Sequence, residues 1–127
     1  MTQQIELVRG FYDALAEGDA QRALALLADD VEWTTMWGYK AAGRGPQHVA
    51  EGVLMPMMKE WRSVAFVPTE FLRSDDTVVS LGLFNGVHGA TGKSAEARYA
   101  HVWTVSQDRI TSFRQYIDTL AVAEASV

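Results

Sequence analysis

The chain has no cysteine anywhere in its 127 residues. That excludes a disulfide framework, a thiolate nucleophile and any metal site built on sulfur. It is also short of positive charge, with 11 Lys and Arg against 16 Asp and Glu and a formal net charge of −5. An acidic balance of that size disfavours a groove that tracks phosphates, so nucleic acid is not an expected partner. No stretch approaches the ~18 consecutive apolar residues of a membrane span, and no membrane partner is expected. The start, Met-Thr-Gln-Gln-Ile-Glu-Leu-Val-Arg-Gly, has neither the basic residues nor the apolar run of a secretory leader, which makes the cytoplasm the expected compartment. The three histidines, His48, His88 and His101, show no H-x-H or H-E-x-x-H spacing, so neither a metal nor a cofactor is expected. Gly89-Ala90-Thr91-Gly92-Lys93 lacks the full spacing of a phosphate loop and falls between strands, where it reads as a turn.

What is present suits one domain spanning residues 1–127. A chain of this size buries about two thirds of its unfolded surface, enough for a real core. In residues 5–16, Ile5, Val8, Phe11, Tyr12 and Leu15 recur at spacings of three and four, which predicts an amphipathic helix. Gly18 suits the left-handed position after that helix, and Asp19 suits the cap of a second one over residues 20–27. Residues 31–37 alternate, with Val31, Trp33, Thr35 and Trp37 on one face of a strand. A glycine-bearing loop, 38–45, leads to Pro46, a residue suited to the first turn of a helix over 46–61. Gly52 and Pro56 predict a kink near residues 52–55, and the methionines around it, Met55 and Met58 among them, suit a pliable pocket wall or a plain core helix. Strands follow at 64–67, 70–73 and 78–87.

The last part reads as a hairpin, with strands at 99–105 and 110–120 joined by the polar connection 106–109. Alternation places Tyr99, His101, Trp103 and Val105 on one face, and Ser112, Arg114, Tyr116 and Asp118 on one face of the partner. If both faces are the concave one and no bulge shifts the parity, His101 and Asp118 share an apolar interior. The alternative is a structural histidine and a strand-end aspartate in solvent. Helices first and strands last predict an α+β fold, a cone-shaped, curved, mainly antiparallel sheet with three helices from the N-terminal half packed on its concave face. The mouth of such a cone is where small ligands bind.

Several segments carry a family likeness. Val8-Arg9-Gly10-Phe11-Tyr12-Asp13-Ala14-Leu15-Ala16-Glu17-Gly18-Asp19, Leu27-Ala28-Asp29-Asp30-Val31-Glu32-Trp33, Ala100-His101-Val102-Trp103 and Phe113-Arg114-Gln115-Tyr116-Ile117-Asp118-Thr119 together resemble the SnoaL-like group of the nuclear-transport-factor-2-like superfamily. The resemblance implies the same cone and a homodimer built through the convex sheet face. A sheet face bearing Val102, Thr104, Thr111, Phe113 and Ile117 with no helix to cover it agrees with a dimer. The superfamily includes polyketide cyclases, ketosteroid isomerases, epoxide hydrolases, dehydratases and members without catalysis, so the fold alone does not name a reaction.

Comparison by residue narrows the choice. Steroid isomerases carry a tyrosine where this chain has Phe11, a catalytic aspartate near Thr35 and a protonated aspartate at His101. Epoxide hydrolases of the limonene type carry an Arg-x-Asp pair where this chain has Tyr99-Ala100-His101, and share only an aspartate near Asp118. Polyketide cyclases of the family use one acidic residue on the last strand, in the place that Asp118 occupies in this reading. The resulting expectation is a cofactor-independent acid/base enzyme, cyclase- or isomerase-like, acting on a small, largely apolar carbonyl compound. Asp118 is its candidate base and His101 its candidate donor, with Tyr12, Trp33, Trp37, Met55, Met58, Trp61, Phe84, Trp103 and Tyr116 as pocket walls. The rival expectation is a non-catalytic ligand-binding or dimerisation module of the same fold. An open apolar cavity reached by both His101 and Asp118 favours the enzyme, and a filled core favours the module.

Overall fold

The computed structural model describes residues 3–127, in the order α1 (Gln3–Ala16), α2 (Ala20–Leu24), β1 (Leu27–Thr34), α3 (Pro46–Val49), a π-helical turn (Ala50–Leu54), α4 (Met55–Glu60), β2 (Trp61–Ser74), β3 (Thr77–His88), β4 (Ser94–Ser106), β5 (Arg109–Ile117) and α5 (Thr119–Ala125). The fold is α+β. One five-stranded sheet has the order β1-β5-β4-β3-β2, with β1 parallel to β5 and every other pair antiparallel. Bulges interrupt the ladders at Trp61/Ser63, Pro68/Glu70 and Thr104/Val105. Each adds local bend and twist, and the sheet curves accordingly.

The apolar stripe of α1 buries Val8, Phe11, Tyr12 and Ala14 against the concave face. Gly18, at φ +75°, ends the helix. The Gly18 amide donates to Leu15 O at 3.1 Å and the Asp19 amide to Ala14 O at 2.9 Å, satisfying two carbonyls that the helix end leaves free. Asp19 Oδ1 then accepts from the Arg22 amide at 3.0 Å and starts α2. The second helix stops at Leu24 rather than residue 27, because Leu27 already pairs with Ile110 in the sheet. The first strand runs over Leu27–Thr34 rather than 31–37, so alternation buries Val31 and Trp33, while Thr35 and Trp37 are buried in the loop that follows it.

The expected kink is a π-helical turn, Ala50–Leu54. At Gly52 a Cβ atom would lie 2.1 Å from the Lys40 carbonyl oxygen, so only glycine lets the 38–45 loop lie directly on this turn. The helix ends at Glu60, and Trp61 opens β2. The two short strands expected at 64–67 and 70–73 are one strand, carried past Pro68 by a bulge.

The hairpin differs from expectation at both ends. Ser106 pairs with Arg109, leaving a two-residue turn in which Gln107 and Asp108 have φ +53° and +63°. Positive φ at both central positions is the geometry that matches the twist of flanking strands. At the other end β5 stops at Ile117, and Asp118 Oδ1 accepts from the Ala121 amide at 3.2 Å as the cap of α5. This C-terminal helix, a fourth element on the sheet side, buries Val122 and Ala125 and is tied down by Thr91 Oγ1 donating to Ala125 O at 2.6 Å. No helix is long and apolar enough to cross a membrane.

Candidate functional site

Between α1, the π-helical turn, α4 and the inner sheet face lies an apolar cavity of about 30 Å³. That is room for a few atoms or one or two waters. Phe11 and Tyr12 close it from α1, Val53, Leu54 and Met57 from the helical segment, and Trp33, His101, Trp103, Phe113 and Gln115 from the sheet. Trp33 stacks on Phe113 at 3.9 Å between ring centroids, and Tyr99 stacks on His101 at the same distance. The rings fix the shape of the floor.

His101 lies at the centre. It is fully buried, and burial pushes its pKa well below the ordinary histidine value, so the ring is neutral near pH 7. His101 Nδ1 is 2.5 Å from the Tyr12 hydroxyl, which is 2.7 Å from Ser80 Oγ. Trp103 Nε1–H donates to that same Ser80 oxygen at 2.9 Å. An indole only donates, so the direction of the chain is set at that end. Ser80 gives its hydrogen to Tyr12 and Tyr12 gives its own to Nδ1, so each hydroxyl donates once. Reversing the order leaves the Ser80 hydrogen without an acceptor in this network. The consistent assignment therefore leaves the imidazole hydrogen on Nε2. Burial, with the nearby Tyr99 hydroxyl, holds the Tyr12 phenol above its ordinary pKa and hence neutral.

His101 Nε2 is buried and has no protein partner, and the same holds for Trp33 Nε1 and Trp37 Nε1. All three residues line the one cavity. A buried N–H left unpaired costs about 1–3 kcal/mol. An oxygen accepting hydrogen bonds would satisfy such nitrogens, and all three belong to residues that line this cavity.

The expected partner of His101 is elsewhere. Asp118 is exposed, caps α5, and does not line the cavity. The bulge explains the error of parity: without it His101 would face Arg114, but with it His101 pairs with Gln115. Phe113 and Gln115 therefore point inward, while Arg114 and Tyr116 point outward, Tyr116 at 46% exposure. Phe113 and Ile117, assigned to the convex face from the sequence, belong to the concave one, Ile117 opposite the buried Tyr99 and packed against the core. Gln115 is 2% exposed and accepts from the Met36 amide at 3.4 Å. No Asp or Glu lines the cavity among the described residues.

The remaining expected walls divide. Tyr12, Trp33, Trp37 and Trp103 line the cavity. Trp61 and Phe84 are buried behind it, packed on each other at 5.3 Å. Met55 is 63% exposed and faces away, whereas Met58 borders an outer hollow described below. Trp61 Nε1 donates to the Tyr39 hydroxyl at 2.9 Å, Tyr39 bonds Glu60, and His88 Nε2 donates to Glu60 at 3.0 Å. That network ties the end of α4 to the β3–β4 turn, away from the cavity. Ser80, Gln115 and Phe66 were not singled out from the sequence, and of the methionines around the kink it is Met57 that lines the cavity. Among the described residues, no three His, Asp or Glu side chains are grouped to hold a metal ion.

A curved sheet closed by N-terminal helices over an apolar interior is the architecture of nuclear-transport-factor-2-like proteins. Residues 8–113 match the SnoaL-like domain model, and the chain belongs to that family. Its structure is similar to that of an NTF2-like protein from Burkholderia thailandensis E264, 34% identical over 100% of this chain and 99% of the other, with a TM-score of 0.90. It is similar to TerC, co-crystallised with polyporic acid, at 25% identity over 98% of each chain and a TM-score of 0.86. It shares its fold with IdmH, a putative polyketide cyclase from Streptomyces antibioticus, at 19% identity over 98% of this chain and 99% of the other, with a TM-score of 0.84. No curated protein sequence matches the chain.

Proposed function

We propose that the cone takes a small, largely apolar carbonyl compound and that His101 Nε2–H polarises its oxygen, in a cyclase- or isomerase-like reaction without a cofactor. The observation that carries this reading is the set of three unpaired nitrogens, on His101, Trp33 and Trp37, residues that all line one apolar cavity. Donors aimed at a developing enolate oxygen in a water-excluded site are worth far more than the same donors in water. The neutral state of His101 agrees with this role, since a neutral imidazole donates without bringing a counter-charge into the apolar site. Asp118 is not the base in this reading. With no carboxylate in the cavity, hydroxide from solvent takes the proton in this reading, which favours a carbon acid flanked by two carbonyl groups, since that gives up its proton far more readily than a simple ketone. The co-crystallisation of TerC with polyporic acid supports an oxygen-bearing organic ligand in this fold.

A panel of small aromatic and polyketide-like ketones, with polyporic acid among them, tests the reading by thermal shift. A ligand present at 100 Kd stabilises by about 2.7 kcal/mol. His101→Leu should abolish the response, while His101→Gln, which keeps an N–H donor, should retain part of it. Equal responses in wild type and both variants contradict it.

The small volume of the cavity favours a second reading, a non-catalytic binding module in which the same nitrogens hold a ligand that is not converted. Binding of a dicarbonyl compound without any change in its absorbance or mass over hours supports that reading against the first. In either case we propose a homodimer through the outer sheet face, where Val67, Leu72 and Tyr116 are 43%, 50% and 46% exposed. Sedimentation showing only a 14.0 kDa species at micromolar concentration would exclude it.

A further inference from the structure

Beside the inner cavity lies a second hollow of about 130 Å³, bordered by Met58, Val64 and Ala65 and by four residues that also line the inner one: Tyr12, Leu15, Met57 and Phe66. These four are the partition between the two spaces. They differ in how firmly they are held. Tyr12 is pinned by Ser80 and His101, and Phe66 packs against the rings of Trp37, Phe84, Tyr99 and His101. Leu15 is branched and stands on the long helix α1. Met57 is unbranched, makes no side-chain hydrogen bond, and is 1% exposed although Met55 and Met58 beside it are 63% and 41% exposed. It also follows the π-helical turn and Pro56, where the α-helical ladder is interrupted. Of the partition, Met57 is the unbranched side chain with no hydrogen bond to hold it, the most adaptable of the four.

The two volumes set the shape of the ligand. An apolar cavity of roughly 150 Å³ holds one benzene molecule, so the outer hollow matches a single aromatic ring, and the inner cavity matches a carbonyl group. None of the residues bordering the outer hollow is charged. We propose that Met57 is the specificity-determining gate between the two spaces, and that the ligand is a neutral, single-ring aryl carbonyl compound lying with its ring outside Met57 and its oxygen beside His101. This inference rests on the function proposed above and names the class of molecule it takes.

Acetophenone is the probe, and the indole N–H resonances of Trp33 and Trp37 report arrival of its oxygen in the inner cavity. In the wild-type chain both resonances should move on titration. Met57→Leu keeps the volume but stiffens the side chain, and should slow association about tenfold with an unchanged melting temperature. Met57→Phe should remove both resonance shifts. Met57→Ala should admit 2-acetylnaphthalene, which the wild type rejects by about tenfold or more. Acetophenone that moves both indole signals equally fast in wild type, Leu and Phe variants overturns the gate while leaving the proposed function standing. No indole shift in either wild type or Met57→Ala, with acetophenone or any other ketone of the panel, overturns the proposed function and this inference together. The Leu variant carries the test if the Phe variant does not fold.

Discussion

The Tyr12 hydroxyl lies 2.5 Å from Nδ1 of His101, joining the first helix to the fourth strand in the fully buried interior. The bond fixes the ring plane and the tautomer, and so decides what the opposite nitrogen offers the cavity. The chain of bonds ends at Trp103 through Ser80, and an indole neither gives nor takes a proton at ordinary pH. The network therefore positions His101 rather than conducting protons to solvent.

The first prediction concerns pH. Burial lowers the folded pKa of His101, so between that value and the unfolded value near 6.5 the unfolded chain binds a proton that the folded chain does not. Stability is then fully present above about pH 6.5 and is lost as pH falls, by about 1.4 kcal/mol per pH unit. Glu60, whose carboxyl is held below its ordinary value by Tyr39 and then His88, adds a loss only at lower pH, below about 4.5. Urea unfolding between pH 7.0 and 5.0 should show the first slope in wild type, and His101→Gln should flatten it. An equal slope in both would assign the acid sensitivity to another group.

Asp118 should behave as a helix cap and nothing more. Asp118→Ala removes the bond to the Ala121 amide and should cost about 1 kcal/mol, while Asp118→Asn should cost less than half of that. Neither should change the response to ketones. A ketone response lost in Asp118→Asn, with the melting temperature intact, would restore the aspartate to the site.

Gly52→Ala sets two effects against each other. Helix propensity alone favours alanine by about 1 kcal/mol, but the new Cβ would stand 2.1 Å from the Lys40 carbonyl oxygen, and backbone must move to admit it. Overpacking of that kind costs about 1–3 kcal/mol, so net destabilisation is expected in denaturant unfolding. A neutral or stabilised variant would show that the 38–45 loop does not rest on the π-helical turn as described.

Much of this fold was legible because its elements obey simple periods. The stripe of Val8, Phe11 and Tyr12, the alternation of Val31 and Trp33, and the disturbance at Gly52 and Pro56 all reappear as expected. The site was half legible: Tyr12, Trp33, Trp37, His101 and Trp103 meet in one cavity. What failed turns on two local features. A single extra residue at the Thr104/Val105 bulge reverses the faces of β5, exchanging Gln115 for Arg114 opposite His101. Nothing in the alternation of residues 110–117 marks where the extra residue falls. The second is α5, whose signal was an Asp followed by Thr-Leu-Ala-Val-Ala-Glu-Ala, a cap and a run of good helix formers hidden behind a β-rich stretch. Ser80 carried no pattern at all, because its role depends on Tyr12, 68 residues away in the chain.

The most direct test of the account is the nitrogen-15 spectrum of the His101 ring, recorded near pH 7 with and without a small aromatic ketone. The account predicts a neutral ring protonated on Nε2, with Nδ1 as the acceptor, and an Nε2–H signal that moves downfield when the ketone binds. A ring protonated on Nδ1, a doubly protonated ring, or an Nε2–H signal indifferent to every ketone that binds would contradict it.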